Sequence, residues 1–182
     1  MFTVNYRITT DANHIRTLSR REFDMGGDLE GFFELDFDGH TYGYCHNRPL
    51  QEGERGFELL TNWFSSLLSA YLALHEADYA AISDIESFNT WIELKTDPNN
   101  PFNLSASVIR AKKWDGSTYI ATRPITNYTY GEWRGVVISQ KEFRSESVIK
   151  SLRYRNEILA VNPGLSKSER LLELDGLIQK LI

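Results

Sequence analysis

Cysteine is almost missing from this chain: one thiol, Cys45, stands among 182 residues. A single cysteine excludes an internal disulfide framework and suits a reducing compartment. Long apolar runs are missing as well, and no stretch approaches the roughly 18 uninterrupted apolar residues of a membrane helix. The opening Met1-Phe2-Thr3-Val4-Asn5-Tyr6-Arg7 lacks a basic segment followed by an apolar one. A cytoplasmic protein that does not enter a membrane is therefore expected. Catalytic signatures are absent too. There is no Gly-x-Ser-x-Gly elbow, and Gly26-Gly27-x-x-x-Gly31 has neither the Lys-Ser/Thr pair of a phosphate loop nor the glycine spacing of a dinucleotide fold.

What is present is core material and an uneven charge. Hydrophobic residues make up 41% and aromatic residues 13% of the chain, enough to bury a core and exclude a disordered chain. The length fits one domain over 1–182, with residues 165–182 as a docked C-terminal helix. The net charge of −5 hides three blocks. Residues 1–21 carry a net of +3, residues 22–94 hold fifteen acids against Arg48 and Arg55, and residues 95–182 return to +5. An acidic block repels nucleic acid, whose phosphates need Lys and Arg, and attracts a basic protein.

Hydropathy patterning predicts an α+β fold, mostly antiparallel sheet with one long amphipathic helix inserted and two helices at the C-terminus. Phe2 to Ile8 alternates as a strand, and Gly26-Gly27-Asp28 reads as a turn. Phe33, Leu35 and Phe37 face one way and Glu34, Asp36 and Asp38 the other. Asp38-Gly39 is a two-residue hairpin turn, and Thr41 to His46 returns with Tyr42, Tyr44 and His46 on one face. Phe57 to Glu76 is predicted as a helix, its apolar side Phe57, Leu60, Phe64, Leu67, Leu68, Tyr71 and Leu74, its polar side including Thr61 and Ser66. Trp91 to Lys95 is a short strand closed by a loop over residues 97–101. A second hairpin is expected from Ser105–Lys113 and Thr118–Arg123 around Trp114–Ser117, with a further strand at Arg134–Ile138. Ser139-Gln-Lys-Glu142 and Ser166-Lys-Ser-Glu169 are capping boxes. The first opens a helix with Phe143, Val148, Leu152 and Leu159 on its apolar side, stopped by Asn162-Pro-Gly164. The second opens a helix with Leu171, Leu174, Ile178 and Leu181 on one face.

Metal and cofactor chemistry find no footing. Asp36-Phe-Asp38-Gly39-His40 resembles a calcium loop, but the glycine arrives early and Cys45 stands where the loop needs Glu. His40 and His46 would lie about 20 Å apart on one strand, and Cys45 and His46 point to opposite faces. A buried thiol beside a surface histidine is the expectation there, with no metal and no cofactor. Glu30, Glu34 and Asp36 could serve acid–base chemistry, which keeps a small carboxylate enzyme as an alternative. A scaffold or oligomer-forming domain using the terminal helix is another. Arg110, Lys112, Lys113, Arg123 and Arg134 interleave with Trp114, Tyr119, Tyr128, Tyr130 and Trp133, as single-strand binders do, but the chain is not basic overall.

The acids form two groups: Asp24, Asp28, Glu30, Glu34, Asp36 and Asp38, then Glu76, Asp78, Asp84 and Glu86. The second group flanks a helix C-terminus, where acids oppose the macrodipole. Both groups read as a partner-binding platform for a basic protein, with Tyr42, Tyr44 and Trp91 as anchors. The run Glu30-Gly-Phe-Phe-Glu-Leu-Asp-Phe-Asp-Gly-His-Thr-Tyr-Gly43, followed by the amphipathic helix from Phe57, resembles immunity proteins of bacterial polymorphic-toxin and contact-dependent growth inhibition systems. That resemblance covers residues 30–75. It implies a non-enzymatic cytoplasmic inhibitor that binds the C-terminal toxin domain of a cognate effector, often a nuclease.

Overall fold

The structure is a computed structural model describing residues 1–26, 28–113 and 119–182. The fold class is α+β, with antiparallel sheets. The chain divides into two compact units. The first comprises Met1–Thr3, Asp36–His40 and Ser66–Ser145; the second comprises Val4–Leu35, Thr41–Ser65 and Glu146–Ile182.

The first unit holds a six-stranded sheet. Strands β5 (Tyr79–Ser83), β6 (Thr90–Asp97), β7 (Asn100–Arg110), β8 (Ile120–Ala121), β9 (Thr129–Tyr130) and β10 (Val136–Ser139) are arranged β10-β7-β6-β5-β8, with β9 also on β7. Trp91 opposes Ile109 and Glu93 opposes Ser107 across β6 and β7, while Tyr79 opposes Lys95 and Ala81 opposes Glu93 across β5 and β6. The pleat therefore puts Tyr79, Ala81, Trp91 and Ile109 on one face, where they pack with Ala111 and Ile125. Ile82, Ile92, Leu94, Leu104, Ala106 and Val108 are buried too, so the central strands carry near-continuous apolar runs. Glu93 breaks that run. It is 2% exposed, and its Oε2 lies 2.8 Å from Lys95 Nζ.

Two expectations fail in this sheet. The second hairpin does not form: β8 pairs with β5, and β7 takes β6, β9 and β10 as partners. Its proposed turn, Trp114–Ser117, and Thr118 lie outside the described residues, as does Gly27 of the Gly26–Asp28 turn. The 97–101 loop contracts to a two-residue link, Pro98-Asn99, between β6 and β7. Pro101 sits inside β7 but beyond the last residue paired to β10, Asn103, at a strand end where its missing N–H leaves no ladder bond unmade.

In the second unit most of the residues of β1 (Phe2–Ile8), β2 (Glu30–Phe37), β3 (His40–Tyr44) and β4 (Glu58–Leu59) form a four-stranded sheet around β2. Helix α3 (Leu60–Ala77) begins three residues later than expected, because Glu58-Leu59 pairs with β2 and leaves Phe57 53% exposed. Its start is fixed from a distance: Asp28 Oδ1 accepts from Thr61 N (3.0 Å) and Oδ2 from Asn62 N (3.1 Å). Those are orphan amides of a helix N-terminus. Thr61, assigned to the polar side, is buried because its Oγ1 meets Tyr154 Oη at 2.7 Å; Ser66 is buried as well.

Helix α4 (Gln140–Val161) buries Phe143 as expected, but the stripe then follows Ser147, Ser151, Tyr154 and Ile158. Val148, Leu152 and Leu159 remain half-exposed. Tyr154 sets this rotation, stacking on Phe64 with centroids 4.8 Å apart. A 3-10 turn, Pro163–Lys167, takes Ser166, so the cap of α5 (Glu169–Gln179) is Ser168, whose Oγ accepts from Leu171 N at 3.1 Å. The expected face, Leu171, Leu174, Ile178 and Leu181, is buried. Residues 11–28, where no period is legible, hold α1 (Ala12–Thr17) and α2 (Arg20–Asp24), the latter opened by a Ser19/Glu22 capping box that the sequence spells out. No helix among the described residues is long and apolar enough to cross a membrane.

Candidate interaction surface

The hairpin of β2 and β3 turns on Asp38 (φ +52°) and Gly39 (φ +87°), the left-handed pair that a two-residue hairpin turn demands. Further along β3, Gly43 adopts φ +82°. That residue resets the side-chain alternation of the return strand. Tyr42 comes within 6.3 Å of the Trp63 ring, while Tyr44 and His46 join Phe32. The expected common face of Tyr42, Tyr44 and His46 therefore splits. The Phe32, Tyr44 and His46 rings are mutual neighbours, with centroids 5.9, 4.7 and 5.5 Å apart. Tyr44 is 55% exposed, held upright by two less exposed rings.

His46 is the reverse of the surface histidine expected: its side chain is 11% exposed, with Nε2 3.1 Å from Glu54 Oε1. Glu54 also takes two hydrogen bonds from Arg48, at 2.5 and 2.7 Å, and one from Gln51 N at 2.9 Å. Arg48 first, then the Gln51 amide, hold the Glu54 carboxyl down at about 2. This one carboxylate ties the long connection after β3 into a fixed shape. Cys45 is half-buried, and burial, followed by the charge of Glu34, pushes its thiol up, the opposite of an activated nucleophile.

A cleft of about 390 Å³ opens beside these residues, lined by Asn5, Tyr6, Cys45, His46, Asn47, Lys150 and Arg153. A neighbouring hollow of about 400 Å³ shares Tyr6, Asn47 and Arg153 and adds Arg7, Ile8 and Glu157. The cations of the cleft and the hollow are engaged within the unit. Arg153 Nε bonds Glu157 at 2.8 Å, Lys150 lies 3.4 Å from Glu146, and Arg7 donates to the carbonyls of His46 and Arg48. Tyr6 donates to Glu157 at 3.0 Å, and burial beside that carboxylate pushes its phenol well up.

The predicted partner-binding acids divide between the units, and several have structural work. In the second unit, Asp24 Oδ1 accepts from Arg170 N (3.3 Å) and Asp28 caps α3. Glu30 is half-buried at the start of β2, and Glu34, also half-buried, accepts from Asn5 Nδ2 (3.1 Å). In the first unit, Asp36 accepts from Gly39 N (2.6 Å) and closes the hairpin turn, and Asp38 lies 3.2 Å from the Met1 amine. Glu76 is exposed in the last turn of α3. Asp78 takes the left-handed position after that helix, at φ +54°, a role open to Asp as well as Gly. Asp84 Oδ1 accepts from Glu86 N (2.9 Å) inside a loop, and Glu86 is exposed. Asp28, Asp36 and Asp78 thus hold local structure as well as adding negative charge. Trp91 is fully buried, donating to Ala111 O at 3.3 Å, and cannot anchor a partner.

The basic and aromatic set of the first unit is largely tied up. Arg110 pairs with Glu132, Arg134 lies 5.0 Å above Tyr130, Trp133 packs against Phe37, and Lys113 is spent on loop carbonyls. Trp114 lies outside the described residues. Among the described residues no group of three or more His, Cys, Asp and Glu side chains could hold a metal ion. Sequence reasoning missed Phe32 and Glu54. Phe32 was legible as the outward alternate of Phe33; Glu54 was not, because its partners depend on how the loop folds. No family model, curated protein or solved structure matches this chain.

Proposed function

We propose that the protein is a stoichiometric inhibitor of the immunity type, which works in the cytoplasm by binding a basic toxin domain, of the nuclease class. The observation that carries this reading is the buttressed Tyr44. A half-exposed tyrosine fixed by Phe32 and His46, with Glu34 on the adjoining strand, matches the amphipathic, low-entropy anchor that dominates protein–protein contacts. The excess of acid over residues 22–94 supports a basic partner, since surfaces that hold phosphate are basic. The binding face assigned is that of Phe32, Glu34 and Tyr44 in the second unit, with Glu76, Asp78 and Glu86 of the first unit adding to the long-range field.

The experiment is protection in cells. The C-terminal domain of the effector encoded immediately upstream is expressed with or without this protein, and growth is followed. Wild type restores growth, and Tyr44→Ala with Glu34→Lys restores it poorly at equal abundance. An upstream gene that encodes no such effector, or growth arrest that wild type leaves unchanged, overturns the proposal.

A further inference from the structure

We propose that the protein pairs with a second copy of itself through a knob and a pocket that both belong to the first unit. The knob is Phe88, 95% exposed at the tip of the segment joining β5 to β6. Single exposed apolar residues are ordinary; what sets this one apart is how firmly its loop is held. Asp84 N donates to Thr90 O (3.1 Å), and Asn89 and Thr90 amides donate to Ser87 Oγ (3.3 and 3.0 Å). Ser87 Oγ in turn meets Thr90 Oγ1 at 2.6 Å, and Ala111 N reaches Asn89 O at 2.8 Å. Lys113 Nζ donates to the carbonyl oxygens of both Asp84 and Ser87. A loop fixed in this way loses little further entropy when its aromatic tip docks.

The pocket is a hollow of about 550 Å³ with an apolar wall of Ile120, Ala121, Pro124 and Ile125, and with Lys112 and Arg123 in its lining. It accepts an aromatic ring, and its cations match the carboxylates that accompany Phe88 on the loop, Asp84 and Glu86. Phe88 is too exposed to occupy its own pocket, so the match is between copies. Each copy carries both halves, so a two-fold arrangement satisfies both at once in an isologous contact. Phe32, Glu34 and Tyr44 take no part in this contact, and Glu86 is shared with the toxin-binding reading only through its long-range charge, so Phe88→Ala tests the pairing without touching that reading.

Sedimentation of the full chain over a concentration series tests it. Wild type is expected to rise from one chain to two, and Phe88→Ala to weaken that pairing on the order of thirtyfold or more. Glu86→Lys and Arg123→Glu are expected to remain single chains when each is alone. Mixed together they form a one-to-one pair, because positions 86 and 123 then carry opposite charges in both contacts. Both positions are exposed, and unchanged circular dichroism verifies folding. A wild type that stays a single chain throughout, or a dimer indifferent to Phe88→Ala and to the charge exchange, overturns the proposal.

Discussion

The Asp28 carboxylate is closed off from solvent and lies 3.6 Å from the Arg170 guanidinium, while its two oxygens accept the first free amides of α3. An acid that looks like surface charge in the sequence is thereby a helix cap and a buried ionic contact. Asp28→Ala leaves two amides of α3 without their acceptor and removes the carboxylate beside Arg170, which keeps Asn62 Oδ1 at 2.9 Å, at a cost of about 2–4 kcal/mol. Urea unfolding should show that loss as a lower midpoint at constant slope. Arg170→Ala should cost less, since Asp28 keeps its amides; an unchanged midpoint in Asp28→Ala would refute the capping role.

Thr61 and Tyr154 share a buried hydrogen bond between helices α3 and α4. Tyr154→Phe and Thr61→Val should each destabilise by about 1–2 kcal/mol, because each strands the other hydroxyl. The double variant should lose less than the two singles together, leaving a coupling of about 1 kcal/mol in a double-mutant cycle. Strict additivity would mean that the hydroxyls do not depend on one another.

Glu54 should titrate at about 2 in carbon-detected NMR, below the ordinary glutamate range, because Arg48 bonds both of its oxygens. A folded-state value below the unfolded one means that its contribution is present at neutral pH and is lost as pH falls from the usual glutamate range through about 2. Arg48→Ala should bring the midpoint back toward the ordinary range. A wild-type midpoint already in that range would show that the clasp over residues 46–54 is open in solution.

Gly56 passes the backbone of β2 so closely that an added Cβ would stand 2.1 Å from the Gly31 carbonyl. No flexible side chain is there to yield, so Gly56→Ala must move either β2 or the segment that leads into β4. Loss of several kcal/mol, or failure to accumulate folded protein, is expected. A Gly56→Ala protein of wild-type stability would show that the two segments do not approach in this way.

Local rules made the hairpin readable. Alternation put Phe33, Leu35 and Phe37 inward, and Asp38-Gly39 supplied the turn. The Ser19/Glu22 box shows the converse: its spelling is in the sequence, but α2 is only five residues long and offers no periodicity to draw attention to it. Interactions set by distant residues were not readable. Asp28 caps a helix 33 residues on, and Ser147 and Ser151 face inward because Tyr154 fixes the rotation of α4. Gly43 divides Tyr42 from Tyr44 through one left-handed residue that an alternating pattern does not register. The candidate surface was therefore half visible: Tyr44 and Glu34 were named from sequence, whereas Phe32 and the His46–Glu54–Arg48 clasp emerge only when the loop is folded.

Calorimetric titration of this protein into the purified C-terminal domain of the effector proposed to be encoded upstream tests the inhibitor reading most directly. One-to-one binding is expected, with affinity falling as salt rises and falling on the order of thirtyfold in Tyr44→Ala. No heat of binding, or an affinity indifferent to both salt and Tyr44, would contradict it.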